Sequence, residues 1–239
     1  MYILAIETTG AFASVALMKE GKIIGQVQGS DRFSHLQNLM PQVKSVLKDN
    51  KLSLGDISAI AVSKGPGSFT GIRIGVSSAR ALAQILDIPC IPVSSLEALA
   101  IRAEEGQLSS EAEGGSVLIC PILDARRSQV YGGGYFIEDG YPVEKVKAGA
   151  YTIEEFLKAV QGYEKVMFLG DGADACKGRI EELRPAGTLT ALESIRYQRA
   201  DSVAMLGARS FAEKGGMDYF QLEPDYMRLA EAERKLKES

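Results

Sequence analysis

Twice along this chain, three short strand-like segments follow one another with no helix between them and then give way to alternating helical and strand patterns. The first triplet occupies 2–7, 13–18 and 23–27, and the second 117–123, 130–137 and 142–146. Short, nearly continuous apolar runs such as 2–7 and 117–123 need cover on both faces, so helices must lie on each side of the sheet. The turns Lys19-Glu20-Gly21-Lys22 and Glu138-Asp139-Gly140 fold the strands back on themselves as antiparallel pairs. A chain that does this twice reads as a duplicated α/β unit. Its length of 239 residues suits one large or two modest domains.

The helical segments support this organisation. Leu36, Leu39, Met40, Val43 and Leu47 fall on one apolar stripe and predict a helix over 34–47. Ser34 stands as its N-cap and Asp49-Asn50 as its stop. Pro41 lies inside that pattern, so a kink or a later start is expected. A strand over 57–62, a helix over 72–86 closed off by Pro89, a strand over 90–93 and a helix over 96–104 complete the first half. The polar, small stretch 106–116 reads as a linker. Beyond the second meander come a helix over 153–160, a strand over 166–169, and helices over 173–183 and 200–214. The charged tail past Glu223 is expected to be helical. The division is therefore a first α/β domain over 1–105, with 200–239 packing back on it, and a smaller second domain over 106–199.

Composition narrows the function classes. Lys and Arg number 27 against 31 Asp and Glu, a net charge of −4, so no bulk basic surface exists for strong nonspecific nucleic-acid binding. Cys90, Cys120 and Cys176 are widely spaced and odd in number, as expected of core residues in a reducing compartment rather than a disulfide framework or zinc site. His35 is the only histidine, which rules out a paired-histidine metal site within the chain and makes a metallopeptidase reading untenable. No apolar run nears the ~20 residues that span a bilayer, and residues 1–7 read as a core strand rather than a signal peptide. A cytoplasmic location without membrane contact is expected.

Three turns at strand ends carry the chemistry-bearing residues. Gly65-Pro66-Gly67-Ser68-Phe69-Thr70-Gly71 joins a strand to a helix start, where free N–H groups and a partial positive charge favour an anion. It is neither a P-loop nor a dinucleotide fingerprint. Glu7-Thr8-Thr9-Gly10 offers hydroxyls and turn amides for a phosphate, or a carboxylate for a cation. The second half has Asp124-Ala125-Arg126-Arg127 in the same place, read either as a salt-bridged turn or as an active group. Gly170-Asp171-Gly172-Ala173 is a further glycine turn, suited to a nucleotide's sugar or base or simply to a tight connection. The candidate nucleotide residues are thus Glu7, Thr8, Thr9, Gly65, Gly67, Ser68, Arg73, Arg126, Gly170 and Gly172. Gly71, Gly75, Ala79 and Ala83 recur every fourth residue and form a smooth stripe, for docking another helix or for seating this one on its own sheet.

With these residues in view, the chain resembles the TsaB (YeaZ) family of the TsaD, or glycoprotease-like, proteins. The resemblance rests on Ile3-Leu4-Ala5-Ile6-Glu7-Thr8-Thr9 with Ser14-Val15-Ala16-Leu17, and on Gly65 through Gly75. It rests also on Asp124 through Tyr131 and on Pro224-Asp225-Tyr226-Met227-Arg228. It implies the fold of acetate and sugar kinases, Hsp70 and actin, with two duplicated α/β domains around a cleft. It also implies a non-catalytic scaffold or activating subunit in the threonylcarbamoyladenosine modification of tRNA, working with the catalytic TsaD and with TsaE. TsaD holds a metal through His-x-x-x-His; here Leu39 stands four residues after His35, so no metal is expected. The family pairs through its first two long helices, as homodimers or with TsaD. That implies an interface of His35, Leu36, Leu39, Met40, Val43, Gly71, Gly75, Ala79 and Ala83. No tightly bound cofactor is expected in the chain alone, ATP or ADP being expected at the subunit boundary, and tRNA contact is expected to be indirect. Glu7 departs from the Asp more usual in the family, which moves the carboxylate by about 1.5 Å. The alternative is a small-molecule kinase or ATPase using the cleft. It is disfavoured because Asp124-Ala125-Arg126-Arg127 replaces the glycine-rich phosphate turn such kinases carry in the second half.

Overall fold

The computed structural model describes residues 1–31, 34–103, 117–184 and 186–227. Two five-stranded sheets carry the same topology. In the first, β1 (Tyr2–Glu7), β2 (Ser14–Lys19) and β3 (Lys22–Gln28) run antiparallel. β4 (Ala59–Gly65) then pairs parallel to β1, and β5 (Cys90–Ser94) parallel to β4. The order is β3-β2-β1-β4-β5. In the second, β6 (Leu118–Asp124), β7 (Gln129–Glu138) and β8 (Tyr141–Thr152) form the meander. β9 (Val166–Leu169) and β10 (Thr188–Thr190) add parallel strands, for an order of β10-β9-β6-β7-β8. The duplication read from the sequence is thus a duplication of strand order.

Period-two alternation decides which helices cover which face. Leu4 and Ile6 of β1, with Val15, Leu17, Ile60 and Val62, face α1 (His35–Asp49) and α2 (Phe69–Leu86). Ile3, Ala5, Ala16, Ala59 and Ala61 face the other way, toward α7 (Ala200–Lys214). The alanines let α7 approach so closely that a Cβ at Gly207 would lie 2.7 Å from that of Ala61. α3 (Ser95–Ile101) packs both ways, Ala98 and Ile101 with the first sheet, Leu96 and Leu99 with Ile119 and Leu123 of the second. The outer face of the second sheet is covered by α4 (Ile153–Ala159) and α6 (Lys177–Leu183), with Phe156 fully buried.

Several boundaries depart from expectation. α1 runs unbroken through Pro41, which lies on the exposed side, so the carbonyl that proline leaves without a partner is not trapped in the core. The helix expected over 173–183 is split at Cys176 into α5 (Asp171–Ala175) and α6. β8 extends to Thr152, well beyond its apolar part, because its partner β7 supplies ladder bonds that no hydrophobic pattern announces. Residues 223–227 are not helical, while the expected tail helix beyond 227, the 106–116 linker and Arg228 lie outside the described residues. No helix among the described residues is long and apolar enough to cross a membrane.

Candidate functional site

The two sheets enclose a cleft of about 280 Å³. One wall is the first half's Thr9, Gly10, Gly67, Ser68, Phe69 and Thr70. The facing wall is the second half's Leu123, Asp124, Ala125, Arg126, Tyr131 and Asp171.

The first wall is held by a closed set of hydrogen bonds. Glu7 Oε1 accepts from Thr9 N at 2.5 Å and from Thr9 Oγ1 at 2.6 Å, and Oε2 accepts from Ser63 Oγ on β4. The group is fully buried, and burial pushes its carboxyl above the usual carboxylate range against the opposing pull of those donors. Thr8, also fully buried, donates from Oγ1 to Gly71 O at 2.7 Å. Gly67 adopts φ +149°, and a Cβ there would lie 2.6 Å from Thr9 O. Only glycine fits that approach. Ser68 caps α2, its Oγ accepting from Gly71 N at 3.2 Å, and so aims the helix start at the cleft.

The second wall is built otherwise. Asp124 N donates to Asp171 Oδ1 at 3.0 Å, and Asp124 Oδ1 accepts from Arg126 N at 2.8 Å. Arg126 Nη1 lies 3.1 Å from Asp124 Oδ2. Arg126, Arg127 and Ser128 follow one another at φ 64°, 55° and 58°, a left-handed turn that side chains resist. Burial first, and then the Asp124 charge, raise the Asp171 carboxyl above its usual range, against its bond from Asp124 N. One wall thus offers hydroxyls and a helix start, the other two carboxylates and a paired guanidinium.

Of the candidate nucleotide residues, Thr9, Gly67, Ser68 and Arg126 line the cleft. The remaining six do not. Glu7 and Thr8 are sealed beneath it. Gly65 lies under the C-terminal segment, where a Cβ would come within 2.5 Å of Asp225 O. Gly170 and Gly172 let α5 lean on β6, their Cβ positions 2.3 and 2.8 Å from Ile122 O. Arg73 instead stacks over the Phe69 ring at 3.9 Å. Asp171 and Tyr131 were not among the candidates. Asp171 sits inside the glycine turn that the sequence marks, and it is this carboxylate rather than Gly170 or Gly172 that lines the cleft.

The expected partner face needs a larger correction. Gly71, Gly75, Ala79 and Ala83 are buried and point at their own sheet, with Cβ positions at Gly71 and Gly75 only 2.0 Å from Thr8 O and 2.3 Å from Thr8 Oγ1. Leu39 and Val43 lie in the same core. His35 is 3% exposed, its imidazole pushed down by burial against a hydrogen bond with the Gly10 backbone. The stripe seats α2 on its own sheet and does not face outward. Only Leu36 and Met40 of the nine face outward.

Two copies of one α/β unit around a cleft define a protein of the acetate and sugar kinase, Hsp70 and actin class. Residues 30–236 match the sequence profile of TsaD, described as tRNA N6-adenosine threonylcarbamoyltransferase. The tRNA threonylcarbamoyladenosine biosynthesis protein TsaB of Bacillus subtilis strain 168 is 38% identical, covering 100% of this chain and 99% of its own. The protein of the same name from Escherichia coli K12 is 30% identical over 99% of this chain and 98% of its own. The solved structure of YeaZ from Pseudomonas aeruginosa superposes with a TM-score of 0.79 at 27% identity, over 94% of this chain and 99% of that one. The chain belongs to the TsaB (YeaZ) family.

Proposed function

We propose that this protein is a non-catalytic scaffold and activating subunit in the threonylcarbamoyladenosine modification of tRNA, working in the cytoplasm with TsaD and TsaE. The observation that carries the reading is the outward face of α1 and α2. Leu36 is 77% exposed, Met40 44% and Ile85 79%, apolar side chains on the outer surfaces of these two helices that water disfavours. Ser77 and Ala81, exposed on α2 at four-residue spacing before Ile85, are small enough for another helix to come close. This outer face replaces the inward glycine–alanine stripe as the docking surface, and a stable pairing there buries on the order of 1,500 Å². With TsaD absent, the same face on two copies would pair as a homodimer about a two-fold axis.

The cleft is the place for ATP or ADP, against the Thr9, Ser68 and Thr70 hydroxyls and the α2 start, once a partner completes it. The net charge of −4 favours indirect contact with tRNA. The test is co-purification. Leu36→Asp with Ile85→Asp should abolish capture by TsaD while leaving the melting temperature within a few degrees, because both side chains lie outside the core. Undiminished capture would count against this face. ATP turnover by the purified chain alone would favour the kinase or ATPase reading instead.

A further inference from the structure

Leu222 is fully buried in the core beneath α1 and α2, and from it residues 223–227 run along the edge of the cleft. They are tied down in sequence order. The Asp225 N–H donates to Lys64 O at 2.8 Å, and its carboxylate lies 3.4 Å from Lys64 Nζ. The Tyr226 ring packs on Phe69 at 5.0 Å between centroids, and its hydroxyl accepts from Arg73 Nε at 3.0 Å. Met227 then leaves the first half and packs against the cluster that contains Ile119, Leu123 and Tyr135 of the second. Gly67, Phe69 and Tyr131 line both the cleft and the small gap beneath this segment.

We propose that residues 223–227 form a strap that bridges the two halves and sets the width of the cleft. Its root and its outer anchors differ in strength. Leu222 is held by full burial, whereas the Lys64–Asp225 pair is exposed by 36% and 37%, so solvent screens it. Tyr226 is likewise 37% exposed. The strap therefore releases from its outer end while the rest of the chain stays folded, the pattern of local opening where few buried contacts hold a segment. Release leaves the Phe69 ring on the cleft wall held by Arg73 alone and removes the Met227 tie between the halves.

The test measures distance between the halves and needs neither nucleotide nor partner, so its outcome is separate from that of the proposed function. Spin labels at Lys48→Cys on α1 and Lys158→Cys on α4, both exposed positions, are introduced with Cys176→Ser to leave only buried native thiols. In Tyr226→Ala/Met227→Ala the pulsed-resonance distance distribution should broaden, since the variant loses one of the ties that, with α3, restrain the relative motion of the halves. Tyr226→Phe, which keeps the ring, should stay near the parent, and truncation after Met227 should leave the distribution unchanged. An unaltered distribution in the double variant overturns the proposal. So does equal broadening on truncation after Met227. Should the double variant melt early, Tyr226→Ala alone carries the same comparison.

Discussion

At the end of β1 the Glu7 carboxylate is sealed from solvent and saturated by donors from Thr9 and Ser63. At the matching end of β6, the Asp124 side chain is 25% exposed and pairs with an Arg126 that is itself 78% exposed. The first corner is a structural knot that fixes the loop against β4 and α2. The second is a left-handed turn facing solvent, closed by backbone bonds between Ala125, Arg126 and Gln129 and by an exposed ion pair. Duplication of a fold has preserved strand order while separating the corners into one that holds the architecture together and one that remains available to a ligand.

Substitutions can break or sharpen this contrast. The largest effect is expected where the first half is packed most tightly. Gly71→Ala would place a methyl group 2.0 Å from Thr8 O, and the resulting overpacking should cost on the order of 3 kcal/mol in denaturant unfolding. A neutral result would show that the stripe has room and faces something other than its own sheet. Glu7→Ala should follow at about 2 kcal/mol, because it leaves buried hydroxyl and amide donors without an acceptor. Asp124→Ala, which removes a screened pair, should cost no more than about 1 kcal/mol. Equal losses at the two positions would erase the contrast. The smallest effect has the opposite sign: Ser128→Gly, at φ 58°, should stabilise by about 0.5 kcal/mol by relieving the left-handed conformation.

Glu7 also gives the first corner a pH signature. Burial raises its folded-state affinity for a proton above that of the unfolded chain, so the folded state holds more protons in the window just above the ordinary value of 4.5. Stability therefore falls as pH rises through that window. In Glu7→Gln this part of the slope should vanish, measured as melting temperature against pH. A slope identical in both proteins would place the carboxyl in an unperturbed setting.

Much of this molecule was legible in its residues, and the failures share a cause. Apolar runs and turn residues revealed both meanders because buried strands need them. The four-residue spacing of Gly71, Gly75, Ala79 and Ala83 revealed a smooth stripe but not its direction, which is decided by Thr8 and Val62 lying under it. The last part of β8, Lys147 to Thr152, has no apolar period because its register comes from β7. Tyr131 reaches the cleft only through the packing of the second sheet, and although the glycine turn marks the neighbourhood of Asp171, nothing in its spacing says which of its residues faces the cleft. Sequence patterns report which surface a residue forms, whereas the partner of that surface is a property of the fold.

The most direct measurement is threonylcarbamoyl transfer to tRNA by TsaD and TsaE, reconstituted with this protein, without it, and with Leu36→Asp/Ile85→Asp. Transfer should depend on the native chain and be lost with the double variant although it remains folded. Transfer that proceeds equally without the protein, or equally well with the variant, would contradict the account.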